Sequence, residues 1–463
     1  MEWVARPSVT VAIAGALALA FAFLMPPFQF PDEHAHFARA YEISRGQFIG
    51  VPDPRLPSAV LAYLQRFPEG VRKSQRPRFK PAAFVPDLYA GWAGESAGWE
   101  SIESGPGQKL LRWGAVATQI YSPIVYLPAS AGIWIARELN LPPLAIMYAA
   151  RLMSILSFLA ALAACLRLAP DLRALTAAIA LMPMTLHQAA AISADTVTIA
   201  ISLVGFGLIL RAREQPACRR YLAILFMVFP LWALCKTSIW ALPLLLLIPS
   251  TQFGGNWKRA GYVLAAIIAT VAAVALWREL SRHAFAGFVA TASARGIDVP
   301  GNTHVLASHP LSFLRRLVTE VHYGYQSLIS SFVGSFGWLE FSPPLWTCFA
   351  LLTIPLAAGC VEWTRKPFTA AERTVLYLVA AGAAMGIYCM LFVVDGIYAG
   401  GRFSFLSAGV QGRYFIPFCL AGFLGLKQNA FTLKSQVLLS MVVPAATLYT
   451  LVCLGLVVKY YYL

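Results

Sequence analysis

The sequence predicts an all-α, polytopic membrane protein of about eleven transmembrane helices, with a large first outer loop. Three observations carry that prediction. Of the 463 residues, 59% are hydrophobic and only 12% charged, well below the quarter charged that is usual for a soluble domain. Apolar runs long enough to cross a bilayer recur from one end of the chain to the other. The short loops between them carry Lys and Arg in an order that sets their sidedness. Residues 1–463 read as a single membrane domain with two large outer insertions, 26–142 and 279–343.

The expected spans are residues 8–25, 143–166, 174–191, 196–210, 260–278, 344–362, 374–394, 414–426 and 436–458. Residues 221–249 are too long for one span. They hold Lys236 between Pro230 and Pro243, so two short helices meeting at Cys235–Ser238 are expected there. The first run follows Arg6 and has no small-residue cleavage pattern before Pro26 and Pro27, which points to an uncleaved first helix.

Basic loops set the topology. They are Arg167/Arg173, Arg211/Arg213/Arg219/Arg220, Lys258/Arg259, Arg365/Lys366/Arg373 and Lys427/Lys434. All are expected on the cytoplasmic side. That requires the N-terminus inside, residues 26–142 outside and the C-terminus outside. It also settles residues 119–136, which are apolar enough to cross. If they crossed, every basic loop would change sides, so a juxtamembrane or re-entrant helix is expected instead. The apolar part of residues 311–335 is treated alike.

The net charge of +15 is explained by these loops meeting anionic headgroups. No nucleic-acid motif is present. The eight cysteines form no CxxC or Cys/His zinc spacing, so neither a disulfide framework nor a zinc site is indicated. The first outer loop carries a basic run, Arg72, Lys73, Arg76, Arg78 and Lys80, whose ordinary explanation is a solvated or headgroup-facing surface.

The stretch that stands out is residues 25–41, MPPFQFPDEHAHFARAY, at the exit of the first span. Ionisable groups beside a membrane are expensive unless used. Pro31 suits a first helical turn, where Asp32 and Glu33 complement the dipole. Asp32, His36 and Arg39 then share a helical face. Asp195 stands between two apolar runs on the same outer side, and two carboxylates from separate loops can divide the work of taking a proton and orienting a substrate. Lys236 suits a phosphate contact. Arg402 and Arg413, among Gly400, Gly401 and Gly412, suit bidentate phosphate recognition. Each has an ordinary alternative: solvated acids at a capped helix, a Ser193 or Asp195 cap, a snorkelling lysine, an arginine anchored beside Tyr414 and Phe415. In GSFGWLEFSPP, residues 334–344, an aromatic-belt turn at Trp338 and Glu340 is preferred. His34 and His36 lie two apart and do not share a helical face, so no metal site is drawn.

PPFQFPDEHAHFARAYEISRGQ resembles the start of a bacterial membrane-protein family, domain of unknown function 2142. YSPIVYLP at 121–128, SADTVT at 193–198, GSFGWLEFSPP and VQGRYFIP at 410–417 follow in order, so the resemblance covers nearly the whole chain. That family in turn looks like the GT-C superfamily of membrane glycosyltransferases, which use sugars carried on polyprenyl phosphate. The resemblance implies a GT-C-like fold with juxtamembrane helices in the first periplasmic loop. Its catalytic residues would be Asp32, Glu33 and Asp195, with Asp32 as base. Lys236, Arg402 and Arg413 would hold the donor phosphate, and His36, Arg39 and Tyr126 would line the pocket. It implies a glycan or lipid acceptor in the cell envelope and a site on the periplasmic side of the inner membrane. No cofactor is implied, and a divalent cation is left open.

Two other functions compete. A flippase for a polyprenyl-linked glycan would place ionisable residues near mid-membrane, whereas here the acids cluster at loop ends. A non-enzymatic envelope-assembly protein would need none of them.

Overall fold

The protein is described here from a computed structural model, which covers residues 6–58, 60, 61, 99–101, 109–214, 219–236, 238–399, 402–405, 409–427 and 432–463. The basic run Arg72 to Lys80 lies outside the described residues.

Helix α1, Pro7–Leu24, starts on a proline whose missing N–H is no loss at a first turn. It ends at Met25, where two prolines follow. Helices α2 (Glu33–Ser44), α3 (Lys109–Thr118) and α4 (Leu127–Glu138) come next. A short antiparallel pair, β1 (Arg55–Pro57) and β2 (Trp99–Ser101), lies between α2 and α3. Helix α4 has 12 residues, a rise of about 18 Å, against the roughly 30 Å of a hydrocarbon core. It packs on α5, Pro143–Leu168, and residues 119–136 form a 3₁₀ turn, Pro123–Tyr126, followed by a helix too short to cross.

The expected span 174–191 is instead two helices of eight residues, α6 (Arg173–Ala180) and α7 (Pro183–Ala190). Pro183 cannot continue a helix from Leu181, but it starts one well. The freed Leu181 carbonyl accepts the Thr450 hydroxyl at 2.9 Å. Helix α8, Ala194–Glu214, is followed by α9, Arg219–Leu234, and a 3₁₀ helix, Ile239–Leu247. These last two meet at Cys235–Ser238, as the prolines required. Helix α10 is the short Ser250–Phe253, and α11 is Asn256–Leu280. Helices α12 (Arg282–Ser293), α13 (Val299–Ser308) and α14 (Pro310–Val333) build the second large insertion. Helices α15 (Leu345–Val361) and α16 (Ala370–Asp395) lead into the hairpin β3 (Gly396–Ala399) and β4 (Arg402–Phe405). A 3₁₀ turn, Gly412–Phe415, precedes α17 (Ile416–Gly425) and α18 (Ser435–Tyr461).

Six helices among the described residues are long and apolar enough to cross a membrane: α1, α5, α8, α11, α16 and α18. Helix α15 is shorter and apolar. The remaining apolar runs form the broken pair α6–α7, the α9–3₁₀ hairpin and α17. Helix α14, with Arg315, Arg316 and Glu320 along it, is not among the six.

Four of the five basic loops meet at one end. Arg213 pairs with Glu372 at 2.7 Å and donates to the Pro367 carbonyl at 2.8 Å. Lys366 reaches the Glu214 carbonyl, the Arg365 amide reaches Asp171, and Arg373 reaches the Lys427 carbonyl. Glu362 accepts the Ala174 and Leu175 amides at 2.7 and 2.9 Å and so caps α6 from 188 residues away. At the opposite end the first and last helices are joined: α1 packs on α18, and the Tyr462 hydroxyl donates to the Leu24 carbonyl at 3.1 Å.

Candidate functional site

The site is at that opposite end, where the chain leaves α1. Phe28 and Asp32 both take the left-handed backbone conformation, with φ of 58° and 60°. For residues other than glycine that conformation costs roughly 1–3 kcal/mol and gathers at functional positions. Lys236, at φ 52°, and Leu339, at φ 61°, do the same. The first two of these belong to one loop. The Trp338 indole N–H, next to Leu339, reaches back to the Phe28 carbonyl at 3.5 Å.

This corrects the expected helix start. Asp32 is the residue before α2, not in its first turn, and its side chain makes no cap hydrogen bond. The carboxylate is 52% exposed and stands 3.6 Å from the Arg413 guanidinium.

Glu33 turns the other way. Its carboxylate is buried and bidentate with Arg151, at 2.8 and 2.5 Å, and accepts the Ile192 amide at 3.3 Å. Arg151 also donates to the carbonyls of Ala22, Met25 and Pro26 at 2.7, 2.9 and 3.1 Å. Those carbonyls lie at the C-terminal end of α1, which has no helical partners to offer them. Glu33 is thus committed to Arg151 and the Ile192 amide rather than standing with Asp32 beside Arg413, where the sequence reading expected both acids. The sequence reading does not single out Arg151, although a lone cation deep in an apolar run is itself a signal.

Arg39 is also corrected. It is buried away from Asp32, pairing with Glu42 at 3.0 Å and donating to the Gln47 and Phe48 carbonyls at 3.1 and 2.6 Å. Gln119 donates to the same Glu42 carboxylate at 2.8 Å. Arg39 locks the turn after α2 onto α3 rather than lining a pocket.

His36 lies within electrostatic reach of Asp32, Asp195, Lys236 and Arg413 but does not itself line the cavity beside them. Its Nδ1 is 2.7 Å from the Tyr126 hydroxyl. Burial pushes its pKa down to about 4, against the pull of Asp32 and Asp195 and with the help of Lys236 and Arg413. The ring is neutral at pH 7. From pH 6.5 down to about 4 the unfolded chain takes a proton at this ring and the folded chain does not. Stability is therefore full above that window and lost as pH falls through it, by about 3 kcal/mol. Thermal unfolding across pH 4–7 should be markedly flatter for His36→Gln than for the wild type; parallel curves would refute the assignment. Tyr126 stands behind His36, fully buried, and supports it rather than lining the cavity.

Asp195 lies in the first turn of α8, where its amide is capped by the Ser193 hydroxyl at 3.1 Å. That leaves its carboxylate free to pair with Lys236. Arg413 is placed by Gly412. A Cβ there would come within 2.0 Å of the Leu328 carbonyl, so only glycine lets this turn lie against α14, where the Gly412 amide also bonds the Ser331 hydroxyl. Tyr414, expected only as an anchor, has both cations on its ring: Lys236 Nζ at 5.1 Å and Arg413 Cζ at 5.2 Å from its centroid. Arg402 pairs with Ala399 in the β3–β4 hairpin, and its side chain lies outside the described residues. No three His, Cys, Asp or Glu side chains gather as metal ligands among the described residues.

A cavity of ≈ 300 Å³ opens beside these groups. Asp195, Lys236, Tyr121, Tyr414, Thr198 and Ser238 supply its polar lining. The rest is apolar, with Trp240 of the 3₁₀ helix facing Gly386, Ile387 and Met390 of α16 and Phe418 of α17. A Cβ on Gly386 would fall 2.2 Å from the Trp240 indole nitrogen, so glycine is what lets the indole lie on α16. A site with paired charges beside a long apolar wall suits an amphiphile with an ionic head.

The family of predicted membrane proteins DUF2142 matches residues 16–421, from within α1 to within α17. The chain belongs to that family. The match spans Asp32, Asp195, Lys236 and Arg413 together, so the site lies wholly within the family's common region. No curated protein and no solved structure matches the chain.

Proposed function

We propose that this DUF2142 member is a membrane glycosyltransferase that moves a sugar from a polyprenyl-phosphate donor to a glycan or lipid acceptor of the cell envelope. The observation that carries the reading is the cavity, where the Asp195–Lys236 pair meets an apolar wall beside Asp32 and Arg413. In this reading the chain crosses a bacterial inner membrane eleven times, with the basic loops cytoplasmic and the site periplasmic. The family resemblance read from the sequence, to GT-C transferases, supports the same substrate class.

The reaction needs few groups. Asp32 takes the proton of an acceptor hydroxyl as that oxygen attacks the anomeric carbon. The bond from the anomeric carbon to the phosphate oxygen breaks, and the lipid phosphate leaves with the electron pair. Its growing negative charge is met by Arg413 and Lys236. Asp195 orients Lys236, and neutral His36 adds no third cation to the phosphate cradle.

The test is mass spectrometry of surface glycans and lipid-linked sugars in cells with and without the protein. A transferase leaves its polyprenyl-linked donor accumulated and one sugar missing from the acceptor when it is deleted. Unchanged glycans and unchanged lipid-linked sugars would defeat the proposal. Loss of whole glycan chains with no single sugar missing would favour a flippase.

A further inference from the structure

Arg413 is buried, with its side chain only 4% exposed. A guanidinium carries five N–H donors. Its nearest partners among the described residues are the Tyr414 hydroxyl at 3.5 Å and the Asp32 carboxylate at 3.6 Å, and its Nε has none. Neither contact is a good hydrogen bond. A buried guanidinium this poorly partnered is costly, and a charge-assisted, bidentate anion is what would complete it. Lys236 shares the Tyr414 ring with it, and each cation faces one carboxylate: Lys236 faces Asp195 and Arg413 faces Asp32. Two cations that repel each other are held near one aromatic quadrupole.

We infer that an anionic phosphate group displaces the carboxylates, taking Lys236 from Asp195 and Arg413 from Asp32, while the Tyr414 ring holds both cations in place. The exchange rests on the transferase reading for its substrate class and adds to it a condition. Asp32 is released from Arg413 only when the phosphate is seated, so the base is freed when its donor arrives and not before. Tyr414 is the positioning residue. The apolar wall beginning at Trp240 and Phe418 favours a phosphate that carries a hydrocarbon chain over free phosphate.

Equilibrium binding to the full chain in nanodiscs tests this without turnover, with farnesyl phosphate, farnesol and inorganic phosphate as probes. Asp32→Asn removes the competitor for Arg413, so it should bind farnesyl phosphate about three- to tenfold more tightly than the wild type. Arg413→Gln should bind it at least tenfold more weakly. Tyr414→Phe, which keeps the ring, should stay within about threefold of the wild type, and Tyr414→Leu should lose about tenfold. A merely structural tyrosine would not be rescued by phenylalanine in binding while leucine fails at equal thermal stability. Unchanged or weaker binding in Asp32→Asn overturns the exchange, as does farnesol binding as well as farnesyl phosphate. Equal binding of farnesyl and inorganic phosphate assigns the exchanged anion to free phosphate rather than a lipid. If the binding pattern holds and no sugar transfer is found, the anion site stands and the proposed activity falls.

Discussion

Asp32→Asn is expected to lower sugar transfer by about 10²- to 10⁴-fold, the usual worth of a positioned general base. The substitution keeps the shape and, because the side chain is half exposed and caps nothing, leaves the fold intact. The assay is transfer by purified protein at matched expression and thermal stability. Because Asn also stops competing for Arg413, the loss should fall on turnover while donor affinity holds or improves. Wild-type turnover would remove Asp32 from the chemistry. Asp195→Asn should lower transfer as well, through Lys236: before the donor arrives its ammonium then lacks the partner that holds it at the cavity. Glu33→Gln offers a contrast, because Glu33 sits among backbone and guanidinium donors rather than at the cavity. Its effect should appear in stability before it appears in rate.

Arg151→Met is expected to destabilise the protein by about 3–5 kcal/mol, the range for breaking one partner out of a buried ion pair. The arginine leaves behind an uncompensated Glu33 and three carbonyls at the end of α1. Replacing both partners, Arg151→Met with Glu33→Leu, should recover a large part of that loss, since two apolar groups leave no buried charge. Thermal unfolding in detergent of the two single variants and the double variant closes the cycle. A double variant no more stable than Arg151→Met would mean that the pair itself is not the source of the effect.

Much of the architecture was legible because apolar length is a direct demand of the bilayer. Lys236 between two prolines marked the turn at Cys235–Ser238, and loop charge marked 119–136 as a juxtamembrane or re-entrant segment, where the structure has a 3₁₀ turn and a helix too short to cross. The α6–α7 break was equally visible in Pro183 but was passed over, since the surrounding run is apolar on both sides. Within the site, periodicity failed at Arg39 for a physical reason. The shared face of Asp32, His36 and Arg39 assumes that all three are helical, and Asp32 is left-handed and outside α2. Nothing in the composition announces a left-handed aspartate or lysine. Glu33 and Arg151 are 118 residues apart, and only the packing of α1 on α5 brings them together. Tyr414 reads as an interfacial aromatic in the sequence because only Arg413 adjoins it there, and Lys236 reaches its ring from a distant segment.

The joining of α1 to α18 bears on how the protein is made. A ribosome adding about 5–20 residues per second delivers α1 roughly 20 to 90 seconds before the start of α18. During that interval α1 lacks the face that α18 later supplies, and the carbonyl of Leu24 waits for the hydroxyl of Tyr462. Synthesis therefore leaves a seam open until late, with α1 and the much later α18 meeting at the end of α1 that leads to Asp32. A chain interrupted before residue 435 would insert most of its helices and still lack the seam behind its site, which makes late truncations candidates for quality-control proteolysis rather than partial activity.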